Sequence, residues 1–174
     1  MRKMNENDVT ANPLYHNTLK LLKKYRDVVW AMELSVQQVR RSFSLEYGSS
    51  IDDFLDTIYA AGADLAGSNI EHHAKCIEKS NQMIKLLDSS VELLRAKHKN
   101  GEAYYWLLYY TFLCPQQLRN VDEILDLIRP YFIDLSYRTY YRKRTEAIDI
   151  LSSILWGYTS RDSMDILDQL FPDE

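Results

Sequence analysis

From Leu14 onward the residues Leu14, Thr18, Leu21, Tyr25, Val28, Met32, Ser35 and Val39 recur in an unbroken four-three spacing. A β-strand repeats every two residues and does not generate this pattern, so the run specifies a long helix with one core-facing seam. Leu22, Val29 and Val36 flank the seam and widen it into a stripe. Asn12 followed by Pro13 is a helix start, with the amide side chain as cap and proline at the first helical position. The helix is predicted to end near Phe43 to Gly48. Its charges, Lys20, Lys23, Lys24, Arg26, Arg40 and Arg41, lie mostly off the seam and read as a solvated face.

A second seam, Ile70, His73, Ile77, Ser80, Ile84, Leu87, Val91 and Leu94, repeats the pattern. Ser68-Asn69 starts this helix, and Asn100-Gly101 is predicted to close it in the left-handed conformation. Between the two, Ser49-Ser50 caps a short helical segment, Ile51 to Ala61, and Gly62 and Gly67 mark a break. Two long seams with polar members predict an antiparallel hairpin or a dimerising coiled coil, in which His73 and Ser80 set register. Glu102 to Leu113 is apolar almost all round, which predicts a central buried helix ended by Pro115.

The stretch Asn120 to Gly157 reads as two helices and a tight connection. Asn120 caps Val121 to Ile128, with Glu123 as the reciprocal partner of a capping box, and Pro130 stops the helix. Ser136 then caps a long helix free of Gly and Pro until Gly157. At 100° per residue Tyr137, Tyr141, Ile148, Leu151 and Leu155 share a packing face. Arg138, Thr139, Arg142 and Lys143 share the opposite one, beside the positive end of the helix dipole. Anions bind there readily, and a helix-turn-helix uses these residues of its second helix to enter the major groove. Arg138 and Arg142 each carry a fork suited to a guanine or a phosphate, and Arg144 is a flanking phosphate contact. Glu146 and Asp149 further along would repel DNA, which confines contact to the first half of the helix.

The run Ser136-Tyr137-Arg138-Thr139-Tyr140-Tyr141-Arg142, followed by Leu151-Ser152-Ser153-Ile154-Leu155-Trp156-Gly157, resembles the C-terminal half of the ArpU family of phage late-operon transcription regulators. That half is similar to DNA-binding region 4 of sigma factors. The resemblance covers about residues 103–160, where Tyr109-Tyr110 and Leu118 to Leu127 look like the family's preceding helices. It implies a DNA-binding regulator of packaging, virion or lysis genes in a phage or prophage. The Arg129-Pro130-Tyr131 turn is bulkier than is usual in the family.

Net charge is −4, so nucleic-acid binding requires a local patch. Arg129, Arg138, Arg142, Lys143 and Arg144 against the single acid Asp134 between positions 129 and 144 supply one. Hydrophobic content of 46% is ample for a packed core and excludes a disordered chain. Cys76 and Cys114 are far apart and suit reduced thiols in a cytoplasm. No run is long enough to span a membrane, and the polar start has no apolar signal core.

His72, His73 and Cys76 fall within one helical turn, but the other ligand types, His16, His98 and Cys114, are distant, so no metal is expected. Asp52-Asp53 and Asp122-Glu123 sit at helix starts, where carboxylates serve the dipole. No phosphate loop or nucleophile motif is present, and Tyr140, Tyr141 and Arg142 lack the rest of a recombinase constellation. No enzyme and no cofactor are expected.

The expected organisation is all-α: a flexible start at 1–11, a helical interaction region at 12–100, a helix-turn-helix domain at 101–160 and an acidic tail at 161–174. Met164, Leu167, Leu170 and Phe171 make a short amphipathic segment in that tail. The expected function is sequence-specific promoter recognition on double-stranded DNA, with RNA polymerase and a second copy as further partners. The alternatives are a small terminase-like packaging protein and a polymerase- or sigma-binding module.

Overall fold

The computed structural model describes residues 12–48, 50, 53 and 69–157, and within them not the side chains of 43, 46, 47, 69–76 and 78. The short segment expected at Ile51 to Ala61 and the amphipathic tail lie outside the described residues, apart from Asp53, whose amide donates to Ser50 Oγ at 3.1 Å. The side chains of His72, His73 and Cys76 lie outside them too.

The chain is all-α. Helix α1 spans Pro13–Tyr47, α2 Asn69–Lys97, α3 Gly101–Leu108, α4 Val121–Ile128 and α5 Tyr137–Trp156. A π-helical turn, Tyr109–Leu113, prolongs α3, and a 3₁₀ turn, Arg129–Tyr131, prolongs α4. Asn12 Oδ1 accepts from the Leu14 amide at 2.9 Å, so the predicted cap of α1 is in place. Gly48, at φ +68°, follows the last turn of the same helix.

Two compact units divide the described chain. One comprises residues 12–25 and 86–157, the other 26–48 and 69–85. The core of the first joins Tyr15 and Leu22 of α1, Leu87, Val91 and Leu94 of α2, Tyr104, Leu107 and Leu108 of α3, Phe112, and the buried faces of α4 and α5. Thus the region of α3, α4 and α5 does not have a core to itself; the start of α1 and the end of α2 complete it. Tyr25 fastens those two helices to each other through its hydroxyl, which donates to Asp88 at 2.9 Å. In the second unit the seam residues Val28, Met32 and Val39 and the flanking Val29 and Val36 are half-buried, whereas Ser35, expected in the seam, is exposed and bonds its hydroxyl back to the Ala31 carbonyl at 2.7 Å.

Three expectations change on contact with the structure. Gly101 is not a left-handed helix closure: it is the first residue of α3, and only Gly48 and Gly157 have positive φ among the described glycines. Its need is steric, because a Cβ there would lie 2.2 Å from the Arg95 carbonyl oxygen and 2.6 Å from that of Leu94. The helix from Glu102 to Leu113 is buried on one face only, through Tyr104, Leu107, Leu108 and Phe112. On its other face Trp106 stacks on Tyr110 at 5.5 Å and on Tyr131 at 5.9 Å, all partly exposed. Arg95 closes that rim, paired through Nε and Nη2 with Glu102 at 2.7 and 2.9 Å and lying 4.3 Å from the Tyr105 ring centre.

The third change concerns α5. Tyr140 is buried to 1% exposure, whereas Tyr137 and Tyr141, expected on the packing face, are 50% and 46% exposed. Ala147, Ile148 and Leu151 continue the buried stripe. Tyr140 falls between the directions of the other two tyrosines and the helix's far side, and its hydroxyl finds Thr111 Oγ1 at 3.1 Å. A buried phenol requires such a partner, and Thr111 supplies it.

Candidate nucleic-acid interface

Helix α4 begins at Asn120, whose Oδ1 accepts from the Glu123 amide at 3.0 Å. The Glu123 carboxylate reaches back to the amide of Arg119 at 2.9 Å, one residue before the cap, rather than to Asn120 itself. After Ile128 the chain tightens through Pro130, and Asp134 then adopts φ +53°. That left-handed position turns the backbone into α5; aspartate tolerates it better than most side chains.

Ser136 is the N-cap of α5, with Oγ accepting from the Thr139 amide at 3.2 Å. The two hydroxyls lie 3.0 Å apart. Thr139 is half-buried, and its hydroxyl also faces the Asp134 carbonyl at 3.5 Å. Ser136 and Thr139 therefore hold the turn and the start of the helix. Tyr137 ties that first turn to α4, because its hydroxyl donates to the carboxylate of Asp122. The same bond raises the Tyr137 pKa above the ordinary phenol value. Nothing in the local sequence pattern announces this pair, since the residues are 15 positions apart on different helices.

The four basic candidates fall into two groups. Arg138 and Arg142 are exposed, one turn apart in the first half of α5, and neither forms an ion pair among the described residues. Lys143 and Arg144 are half-buried. Lys143 Nζ lies 2.8 Å from Glu146 Oε2 and 5.8 Å from the centre of the Tyr104 ring. Tyr104 donates its own hydroxyl to that carboxylate oxygen at 2.6 Å. These three side chains help to wall a cleft of about 350 Å³ beside the second half of the helix, so the ammonium is turned toward α3.

The charges respond accordingly. The hydrogen bond to Glu146 holds the Lys143 ammonium above its ordinary pKa. For Glu146, burial opposes ionisation, but the bonds from Lys143 and Tyr104 outweigh it and hold the carboxyl below its ordinary value. Burial, and then the bond to Glu146, pushes the Tyr104 phenol up. The guanidinium of Arg144 sits 5.2 Å from the Tyr141 ring centre, and its Nε is buried without a hydrogen-bond partner among the described residues.

The geometry thus presents two guanidinium groups at the capped N-terminal end of a 20-residue helix, where the dipole adds to their attraction for anions. Arg119, just ahead of α4, and Arg129, just beyond it, are also exposed; Arg129 pairs with Asp126 at 3.2 Å. Around the same turn stand apolar groups that water covers: Ile133 is 92% exposed, and Tyr131, Tyr137 and Tyr141 are exposed as well. Among the described residues no three His, Cys, Asp or Glu side chains are placed to hold a metal ion. Among them, too, no helix is long and apolar enough to cross a membrane. No family model, no curated protein and no solved structure matches the chain.

Proposed function

We propose that the protein is a sequence-specific DNA-binding transcription regulator of phage or prophage late genes, with α4 and α5 as its helix-turn-helix. The observation that carries this reading is the pair Arg138 and Arg142, exposed and one turn apart at the capped start of α5. A guanidinium there can fork onto guanine O6 and N7 or onto a phosphate. Ser136 and Thr139 fix the helix start, Arg142 and Arg138 make base or phosphate contacts, and Arg119 and Arg129 lie beside them for the backbone. The resemblance of residues 103–160 to the ArpU family supplies the phage context.

The test is binding to duplex fragments of the late region over a salt series. Affinity is expected to fall linearly in log-log form as salt rises, with one fragment preferred throughout. Unchanged affinity in an Arg138→Ala/Arg142→Ala protein would sink the assignment.

A second reading rests on the exposed Ile133, Tyr131, Tyr137 and Tyr141 around the turn. Exposed aromatic and aliphatic groups of this kind anchor protein partners, which fits a polymerase- or sigma-binding module. Retention of polymerase without any duplex binding at low salt would favour it.

A further inference from the structure

Three tyrosines stand in the first two turns of α5, and two of them are engaged elsewhere. Tyr140 is buried with its hydroxyl on Thr111, and Tyr137 gives its hydroxyl to Asp122 on α4. Tyr141 is 46% exposed, and its hydroxyl has no hydrogen-bond partner among the described residues. Its ring is nonetheless flanked on two sides. The Tyr140 ring packs against it at 5.0 Å and 71°, and the Arg144 guanidinium lies 5.2 Å from its centre. An exposed aromatic side chain braced by its neighbours offers contact area at little entropic cost.

At 100° per residue Tyr141 lies about 60° from Arg138 on one side, and Arg142 lies about 40° from it on the other. The three exposed side chains therefore share an arc about 100° wide near the capped start of the helix. They also lie within about 6 Å along its axis, roughly two base-pair steps of B-DNA. A helix that enters the major groove with Arg138 and Arg142 toward the base edges brings the Tyr141 ring there with them. The ring is uncharged and apolar, and the methyl group that base edges present in that groove is the C5-methyl of thymine. Thr145, next on the same arc, is half-buried and spends its hydroxyl on the Tyr141 carbonyl at 3.1 Å, so it does not compete for that place.

We propose that Tyr141 is a specificity-determining residue of the α4–α5 DNA-binding unit, and that its ring reads the methyl group of a thymine beside the contacts of Arg138 and Arg142. This rests on the DNA reading above and adds to it the identity of one base.

The experiment takes the duplex that the full wild-type chain selects from a randomised pool and replaces its thymines one at a time with deoxyuridine, which lacks only the methyl group. One replacement is expected to weaken wild-type binding about fourfold, the worth of one buried methyl. Tyr141→Ala should bind the unmodified duplex about tenfold less tightly and be indifferent to that replacement. Tyr141→Phe should keep the wild-type response, because the ring and not the hydroxyl meets the methyl. Both variants should keep the wild-type salt slope, since neither removes a charge. Tyr141 is not part of the core, and circular dichroism verifies the helix content of both variants.

A wild type indifferent to deoxyuridine at every position overturns the assignment, and that scan needs no variant. So does a deoxyuridine effect that persists in Tyr141→Ala, or one that is lost in Tyr141→Phe. A reduced salt slope in Tyr141→Ala also overturns it, because the loss would then come from displaced arginines. A selection that returns no preferred duplex overturns the DNA reading itself, and this assignment with it.

Discussion

The hydroxyl of Tyr104 donates to Glu146 at 2.6 Å, so the same carboxylate oxygen that pairs with Lys143 also anchors α5 to α3. Because Glu146 is held below its ordinary pKa, its contribution to stability is present above the unfolded value of about 4.3 and is lost as pH falls through the folded value. Lys143 is shifted upward, so its share persists below its unfolded value of about 10.4 and is lost only as pH rises through the folded one. Melting temperature followed from neutral into the acid range should therefore drop less steeply in Glu146→Gln than in the wild type. Tyr104→Phe should cost about 1 kcal/mol at neutral pH, read from the urea midpoint. Parallel acid profiles for wild type and Glu146→Gln would refute the linkage.

The basic residues of α5 should separate by experiment as they do by position. Arg142→Ala should weaken promoter binding by about 1–3 kcal/mol if it reads a base, or lower the salt slope by about one if it meets a phosphate. Lys143→Ala should instead lower thermal stability and leave the salt slope in place, because its ammonium is already held by Glu146. A Lys143→Ala protein of normal stability with a reduced slope would reverse this division.

Gly101 has no room for a methyl group. Gly101→Ala drives carbon into the Arg95 and Leu94 carbonyls, which are backbone and cannot rotate aside. The expected loss is about 3 kcal/mol, the upper end of ordinary overpacking, seen as a lowered denaturation midpoint. An unchanged midpoint would mean that the α2–α3 corner relaxes freely.

A fragment of residues 101–157 should fail to fold. It lacks Leu22, Leu87, Val91 and Leu94, all at most 4% exposed in the intact chain. Removing one such side chain costs about 2–5 kcal/mol, against a total stability of about 5–15 kcal/mol for a domain. Poor dispersion in its proton NMR spectrum would agree, and a cooperative melt would contradict it.

Much of this architecture was legible in the chain. The four-three runs fix α1 and α2 because helical period is a local property, and Asn12, Asn120 and Ser136 announce caps whose bonds span two or three residues. What escaped is whatever depends on partners remote in sequence. Tyr137, Tyr140 and Tyr141 are the same residue type within five positions, and Tyr140 is the buried one, with its hydroxyl on Thr111, 29 residues before it. Likewise the i,i+3 spacing of Lys143 and Glu146 is visible, but the Tyr104 ring that turns both toward α3 lies 42 residues before Glu146. Gly101 was misread because its crowding comes from carbonyls of the preceding helix, which a pattern search does not see.

In the last turn of α5, the indole of Trp156 donates to Thr18 Oγ1 at 3.0 Å, across 138 positions of chain. A ribosome adding about 5–20 residues per second delivers Trp156 roughly 7–28 s after Thr18. For that interval Thr18 has emerged without the indole that it will meet. The earliest helix of the described chain is therefore held by a bond that forms only after synthesis has passed position 156.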